Sequence, residues 1–322
     1  MVISVLVPTA NRPAMLRTAL RSVAAQTALS SIAEVVVIEN LSDRESEKVC
    51  REFSQLPIRY IFRDPPIPPG FDSAKDALRY INSDYLAILF DDDWWGDQHL
   101  EKSIESHSFA PGVAASYGTC VWTNGEDGYL TGIHSSFVPW FAAENPKLNG
   151  KWILGISELL VAGLLKTSFH FSSLLVSRRI WETSLECIRD GNPFDTDRLI
   201  SVEFGRHGNV VMDTTPRVFI RMHESQESRR IGGAELGQYW WNKTTEKLLR
   251  LAKESDIDLM QEFSKRMQSK SVSGDQLRGE CDFSAVDHLD KVGILKKVPL
   301  YKKILRQTLP PFLRSLANSI RY

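Results

Sequence analysis

The sequence has few of the features that mark secreted, zinc-bound or membrane-spanning proteins. Its four cysteines are widely spaced and form no CxxC pair, so neither a disulfide framework nor a zinc site is expected. No apolar run approaches the roughly 20 residues that a membrane helix needs. The first residues lack the basic start, apolar middle and cleavage site of a signal peptide. Together these absences predict a cytoplasmic protein.

The sequence also lacks an excess of charge of either sign, because 39 Lys and Arg balance 40 Asp and Glu. A nucleic-acid partner is therefore not expected. The balance is uneven along the chain: residues 291–322 carry eight basic and no acidic residues, which leaves the rest at about −9. A mildly acidic body thus precedes a strongly basic tail.

The composition is that of a globular protein, with 43% hydrophobic and 25% charged residues. In the first hundred residues, short β-branched apolar runs alternate with helical periodicity. Strands are predicted over 2–7, 34–38, 58–62 and 85–90, and helices from Pro13, over 42–56 and over 73–81. This alternation predicts an α/β fold with a mostly parallel sheet. Ligands on such sheets bind at the carboxyl ends of the strands.

The later pattern is less regular. Strands are predicted over 113–122 and 169–176, helices over 157–166, 197–207 and 234–267, and two short strands that could pair over 210–213 and 217–221.

Three consecutive carboxylates, Asp91, Asp92 and Asp93, directly follow the fourth predicted strand. Adjacent carboxylates repel one another, and a divalent cation such as Mg²⁺, which commonly binds carboxylates and substrate phosphates, would offset that repulsion. A solvated acidic turn that caps the next helix is the alternative interpretation.

The ends of the first two strands also carry polar residues. Glu39 and Asn40 follow the second strand, where an acidic residue can bind a nucleoside. The loop after the first strand, residues 8–12, contains neither GxGxxG nor GxxxxGK[ST], which argues against a dinucleotide dehydrogenase and a P-loop enzyme. A nucleotide held by side chains and a metal remains.

These segments, taken in order, resemble the inverting glycosyltransferases of family 2, which have the GT-A fold. Residues 5–12, VLVPTANR, are similar to the family's opening strand and loop, and residues 36–42, VVIENLS, to its VVDNGS segment. Residues 88–93, ILFDDD, resemble its FLDxDD metal motif, and 221–224, RMHE, its late RxH element. Residues 74–77, AKDA, stand where the family has ARNxG, so Lys75 and Asp76 are departures.

The resemblance implies roles for individual residues. It implies Mg²⁺ or Mn²⁺ held by Asp93 and Asp91, with His223, and Asp197 as the base that deprotonates the acceptor hydroxyl. Asp195 is a competing base, and a helix cap is the structural alternative for Asp197. The implied contacts to the donor nucleotide are Pro8, Thr9, Asn11, Arg12, Glu39, Asn40, Lys75, Asp91 and Asp92.

The implied architecture is a GT-A catalytic domain over residues 1–225, with a nucleotide-sugar half (1–110) and an acceptor-side half (111–225), followed by a helical extension over 226–322. The implied activity is transfer from a nucleotide-diphospho-sugar, UDP foremost, to a glycan or lipid-linked acceptor in bacterial surface-polysaccharide synthesis. A nucleotidyltransferase and a non-catalytic sugar-binding module are the rival functions. The tail has an apolar stripe over 300–316 beside basic residues, so it either contacts the inner membrane surface or packs on the body.

Overall fold

The computed structural model describes residues 1–40, 44–67, 71–124, 129–133, 149–165, 169–187, 196–223, 234–259 and 261–262. The strands are β1 (Ile3–Thr9), β2 (Ile32–Glu39), β3 (Ile58–Phe62), β4 (Tyr85–Ile88), β5 (Trp94–Trp95), β6 (Val113–Asn124), β7 (Tyr129–Ile133), β8 (Lys151–Leu154), β9 (Leu174–Ser177) and β10 (Asn209–Met222). The helices are α1 (Pro13–Ala24), α2 (Glu45–Arg51), α3 (Phe71–Ala77), α4 (His99–His107), α5 (Ile156–Leu165), α6 (Arg178–Cys187), α7 (Thr196–His207) and α8 (Ala234–Glu254).

The strands form one sheet in the order β3-β2-β1-β4-β9-β6-β10-β5, with β7 added on β6 and β8 on β10. Strands β1 to β4 are mutually parallel where they pair, as the alternating pattern predicted. In the second half β9 runs antiparallel to both of its neighbours, β4 and β6, and β10 runs parallel to β6. The predicted α/β fold class is confirmed.

Helices cover both faces of the sheet, which explains why β1 has apolar side chains on both of its faces. Successive side chains of a strand point to opposite faces. Val5 and Val7 accordingly pack with Leu16 of α1 in one core, whereas Leu6 lies in the other. The second core also contains Leu248 from α8, so this helix of the proposed extension shares the core of the main body.

The direction of each strand determines which loops lie at the edge of the sheet formed by the carboxyl ends of β1 to β4. Strand β9 runs opposite to β4, so the 3₁₀ turn Phe171–Ser173, which precedes β9, lies at this edge. Helix α7 leads through Gly208 into the opposite edge of the sheet, where β10 begins. Asp197 lies in the first turn of α7, and Ser201, one turn later, is hydrogen-bonded to Tyr117 of β6.

Two predicted strands differ from those observed. Residues 210–213 and 217–221 do not pair with each other; they are parts of β10, which pairs along its length with β6. The predicted strand over 169–176 is present only from Leu174, because residues 171–173 form a 3₁₀ turn in which Ser173 Oγ donates to the carbonyl of His170 and Ser172 N donates to His170 Nδ1. Such local side-chain hydrogen bonds compete with strand formation. Within the described ranges, no helix has both the length and the apolar character required to cross a bilayer.

Candidate functional site

The loop after β1 is joined to the aspartate triplet by hydrogen bonds. Thr9 Oγ1 donates to Asp91 Oδ2 at 2.7 Å. Arg12 Nη1 lies 3.1 Å from Asp91 Oδ1 and 2.9 Å from Asp92 Oδ2, so one guanidinium serves two carboxylates. Pro8 lies within β1, opposite Ile38 of β2. The structure therefore brings the first and fourth predicted strand ends together.

Asp91 and Asp93 are buried, at 4% and 1% exposure. Burial raises the pKa of Asp91 to about 6 despite the nearby Arg12. Burial, and then the charge of Asp92, raise the pKa of Asp93 well above its ordinary value. The triplet is thus short of positive charge, and an added cation would stabilise its ionised form.

Asp93 is held by Ser172 and Arg221. Ser172 Oγ donates to Asp93 Oδ2 at 2.5 Å, and the backbone N–H of Arg221 donates to Asp93 Oδ1 at 3.3 Å. His170 Nδ1 lies 3.6 Å from Asp93. Burial lowers the pKa of His170 to about 4, so this contact is not an ion pair near neutral pH.

Asp92 is the most exposed of the three side chains, at 15% against 5% for Asp91 and 2% for Asp93. His223 Nε2 lies 3.0 Å from Asp92 Oδ2. The predicted role of His223 as a metal ligand with Asp93 and Asp91 stays a prediction. Asp92 and His223 are therefore the better-placed pair to meet a ligand that arrives from solvent.

Trp94 contacts two side chains of β10. One contact is a parallel stack with Phe219, with ring centroids 5.4 Å apart, and the other is the Arg221 guanidinium, 5.3 Å from the centroid. Arg221 Nε also donates to the backbone carbonyl of Asp92. Trp94 therefore supports Arg221, which in turn holds the backbone at Asp92. Trp95 and Trp152 are buried in the cores.

Glu39 and Asn40 are engaged with the protein itself. Glu39 is fully buried; its Oε1 accepts from Ser46 Oγ at 2.8 Å and Asn11 N at 3.3 Å, and its Oε2 accepts from Tyr60 at 2.6 Å. The Asn40 amide pairs with the backbone of Ile67, donating to its carbonyl and accepting from its N–H. Direct contact of these side chains with a nucleoside remains a prediction, and the geometry does not favour it.

Lys75 and Asp76 contact neighbouring elements. Lys75 forms an ion pair with Glu186 of α6. Asp76 accepts from Arg63 Nε at 2.9 Å, and Arg63 also bonds to Ser73. These contacts give Lys75 a place on the α3–α6 surface, and its predicted role near the donor stays a prediction.

Asp197 lies in the first turn of α7, and its carboxylate accepts from the N–H of Arg198 at 2.8 Å. Asp195 lies outside the described residues. The catalytic role of Asp197 stays a prediction.

A divalent cation suits the electrostatics of the triplet but not its present hydrogen bonds. In the described part of the chain, no group of three or more His, Cys, Asp or Glu side chains is arranged to hold a metal ion. Carboxylate oxygens and an imidazole are nevertheless suitable ligands for Mg²⁺ or Mn²⁺. A cation at Asp92 and His223 would require Arg12 to release Asp92.

Ser172 was not predicted as a site residue, because nothing local in the sequence connects it to residues 80 positions earlier. Arg221 lies in the predicted RxH element, but its contacts with Asp92 and Asp93 depend on the pairing of β10 with β5.

Replacing Ser172 by alanine should destabilise the protein and misplace Asp93. The hydroxyl both donates to Asp93 and accepts from the N–H of Phe90. Leaving these buried groups unsatisfied costs about 1–3 kcal/mol, which lowers the melting temperature by roughly 2–4 °C per kcal/mol. Ser184→Ala is the matched control in a thermal melt, because Ser184 Oγ is buried and has no partner among the described residues. Equal melting temperatures for the two variants would contradict this role for Ser172.

Comparisons with known proteins agree with this geometry. Residues 4–157 match the family model described as glycosyl transferase family 2. No curated protein is significantly similar to the sequence.

Among solved structures, S. aureus TarS 1–349 in complex with UDP-GlcNAc is similar with a TM-score of 0.59 and 12% identity, over 98% of this chain and 84% of that chain. A longer S. aureus TarS structure has a TM-score of 0.57 at 13% identity, over 98% of this chain and 50% of that chain. The mannosyltransferase PcManGT from Pyrobaculum calidifontis, in complex with GDP-Man and Mn²⁺, has a TM-score of 0.51 at 14% identity, over 98% of this chain and 79% of that chain.

At these identities the structural likenesses show the fold, which is GT-A. The family match shows the activity class and includes the ends of β1, β2 and β4 with the aspartate triplet. The chain is therefore a glycosyltransferase with a GT-A fold, and its residues 4–157 are similar to glycosyl transferase family 2.

Proposed function

We propose that this chain is a metal-dependent inverting glycosyltransferase that uses a nucleotide-diphospho-sugar, with UDP as the expected nucleotide. The observation that carries the proposal is the convergence of Asp91–Asp93 with Arg12 and His223 at the carboxyl edge of a GT-A sheet. Carboxylates, a guanidinium and an imidazole in one place suit a metal-bound diphosphate.

The donor diphosphate would lie against Arg12 and the Asp92–His223 pair. Asp92 and His223, together with Asp91, would hold Mg²⁺ or Mn²⁺, which would neutralise the charge that develops on the leaving nucleotide. Arg12 would exchange its bond to Asp92 for one to a phosphate oxygen, since a guanidinium binds both anions with similar geometry. Asp93, held by Ser172 and the backbone of Arg221, keeps the triplet in place.

Asp197 is the proposed general base. A carboxylate at the start of α7 would accept the proton of the acceptor hydroxyl as the oxygen attacks the anomeric carbon. One base and no covalent intermediate give inversion at that carbon, by the reasoning that separates inverting from retaining glycosidases.

The proposed donor, acceptor and location come from the structural neighbours and from the sequence. TarS is described with UDP-GlcNAc and PcManGT with GDP-Man and Mn²⁺. Both ligands are nucleotide-sugars, which supports a nucleotide-sugar donor for this chain, but one carries uracil and the other guanine. A glycan or lipid-linked acceptor in bacterial surface-polysaccharide (O-antigen, capsule) synthesis, reached at the cytoplasmic face of the membrane, rests on the sequence resemblance and on the basic amphipathic tail. That tail lies outside the described residues.

A thermal-shift experiment with UDP, GDP, dTDP and CMP, each with Mn²⁺, Mg²⁺ or EDTA, tests the donor site. At a hundredfold excess over Kd, a bound nucleotide stabilises the native state by about 2.7 kcal/mol. We expect one diphosphate to raise the melting temperature only when the metal is present. The control variant is Asp76→Asn, whose carboxylate serves Arg63 away from the triplet and should leave the shift intact. Equal shifts with EDTA, or no shift with any nucleotide, would contradict the proposed site.

A further inference from the structure

Glu39 is a fully buried carboxylate whose described hydrogen-bond donors are all neutral groups: two hydroxyls and a backbone N–H. A buried charge is costly unless hydrogen bonds satisfy it. The donors come from three separate elements, with Ser46 in α2, Tyr60 in β3 and Asn11 in the loop after β1. Glu39 therefore ties these three elements to the end of β2.

The bond to Asn11 fixes an uncommon backbone conformation. Asn11 has a φ of 55°, in the left-handed region that asparagine tolerates better than most residues. Its N–H is directed to Glu39 Oε1. The next residue is Arg12, which reaches Asp91 and Asp92. The conformation at Asn11 thus sets where the Arg12 side chain begins.

The same contacts leave little of the β2 end for a nucleobase. Both carboxylate oxygens of Glu39 accept hydrogen bonds within the protein, and the oxygen and nitrogen of the Asn40 amide each bond to Ile67. Burial raises the pKa of Tyr60 well above its ordinary value, so its hydroxyl remains a donor to Glu39 at neutral pH.

We propose that Glu39, together with Tyr60 and Ser46, is a positioning residue that holds the loop presenting Arg12 to the donor diphosphate, and that it does not read the nucleobase. The proposal rests on the proposed function, because it assumes that a nucleoside diphosphate binds at Arg12. If Glu39 acts only by positioning, its loss should weaken the binding of every donor nucleotide by the same factor. It should not change the preference for one nucleotide over another.

The test is a double-mutant cycle on nucleotide binding, measured by calorimetry with Mn²⁺ on variants first shown to be folded. We expect Glu39→Gln to weaken UDP and GDP by the same factor, about tenfold, or 1.4 kcal/mol. In an Arg12→Ala background the same change should cost less than about twofold, because residues acting through one another are not additive. A direct base contact predicts the opposite: a UDP-to-GDP ratio altered tenfold or more, and an effect that persists without Arg12.

Glu34→Gln is the matched control, at the other end of β2. The Glu34 carboxylate also accepts several hydrogen bonds, from Ser4, Asn82 and Arg59. The Glu34→Gln substitution should lower the melting temperature and leave nucleotide affinity unchanged. A loss of affinity equal to that of Glu39→Gln would overturn the positioning role of Glu39.

Failure of the proposed function is distinguishable from failure of the positioning role. If the wild-type protein binds neither UDP nor GDP, the donor site itself is wrong, and the role of Glu39 in it falls too. A second cycle, Tyr60→Phe with Glu39→Gln in the thermal unfolding of the ligand-free protein, reports on the network alone. Coupled losses are expected, and additive losses would show that the two side chains act independently.

Discussion

Asp197→Asn should lower kcat by about 10²–10⁴-fold, the usual contribution of a positioned general base. Asparagine has nearly the same shape as aspartate but cannot take up a proton. Its side-chain oxygen can still accept from the N–H of Arg198, as Asp197 does now, so α7 should remain intact. Binding of the donor should also be unchanged, because the base acts on the acceptor.

The comparison that makes this result informative is Asp195→Asn, two residues earlier. Rates measured with saturating donor and acceptor should fall for the Asp197 variant and stay within about threefold of wild type for the Asp195 variant. The reverse pattern would move the base to Asp195. Loss in neither variant would exclude both, and it would leave Asp197 with the structural role of a helix-start residue.

Asp92→Asn should reduce kcat/KM by about 10³-fold, the upper range for removing one electrostatic contact in a transition state. Asp92 is the most exposed carboxylate of the triplet, and its Oδ2 contacts both Arg12 and His223. The amide that replaces it can keep one of these hydrogen bonds but carries no charge. We therefore expect the Mn²⁺ concentration required for half-maximal activity to rise at least tenfold.

Asp93→Asn complements this experiment, because it compares the effect of a buried carboxylate's charge on activity with its effect on stability. Burial and the neighbouring Asp92 raise the pKa of Asp93, so in the folded protein without metal its negative charge is unfavourable. Replacing it by the neutral amide should raise the unfolding free energy at pH 8 while activity falls. The gain should shrink as the pH is lowered, since wild-type Asp93 then becomes protonated. A large loss of stability at pH 8 would show that the charge of Asp93 is already compensated without a cation.

Much of the first half of the fold could be predicted from the sequence, because each strand there is a short apolar run between helical segments. The parallel order then brings Thr9, Glu39 and Asp91 to one edge, as expected. Ser172 could not be predicted, since it approaches Asp93 only through the antiparallel pairing of β9 with β4.

Roles were harder to predict than positions. A carboxylate at a strand end can face a ligand or turn inward, and only the surroundings of Glu39, with Tyr60 and Ser46, decide between the two. The pairing of Lys75 with Glu186 likewise depends on how α3 packs near α6. The sequences of these two helices do not reveal that packing.

The most direct test of the central claim is anion-exchange chromatography of the products that the full chain forms from UDP- and GDP-sugars with Mn²⁺ and an acceptor hydroxyl. Transfer at the anomeric carbon releases the nucleoside diphosphate, so we predict UDP or GDP as the product from one donor, dependent on Mn²⁺ and absent in Asp92→Asn. Release of a nucleoside monophosphate, which requires cleavage within the diphosphate, or binding of donors with no turnover, would contradict the account.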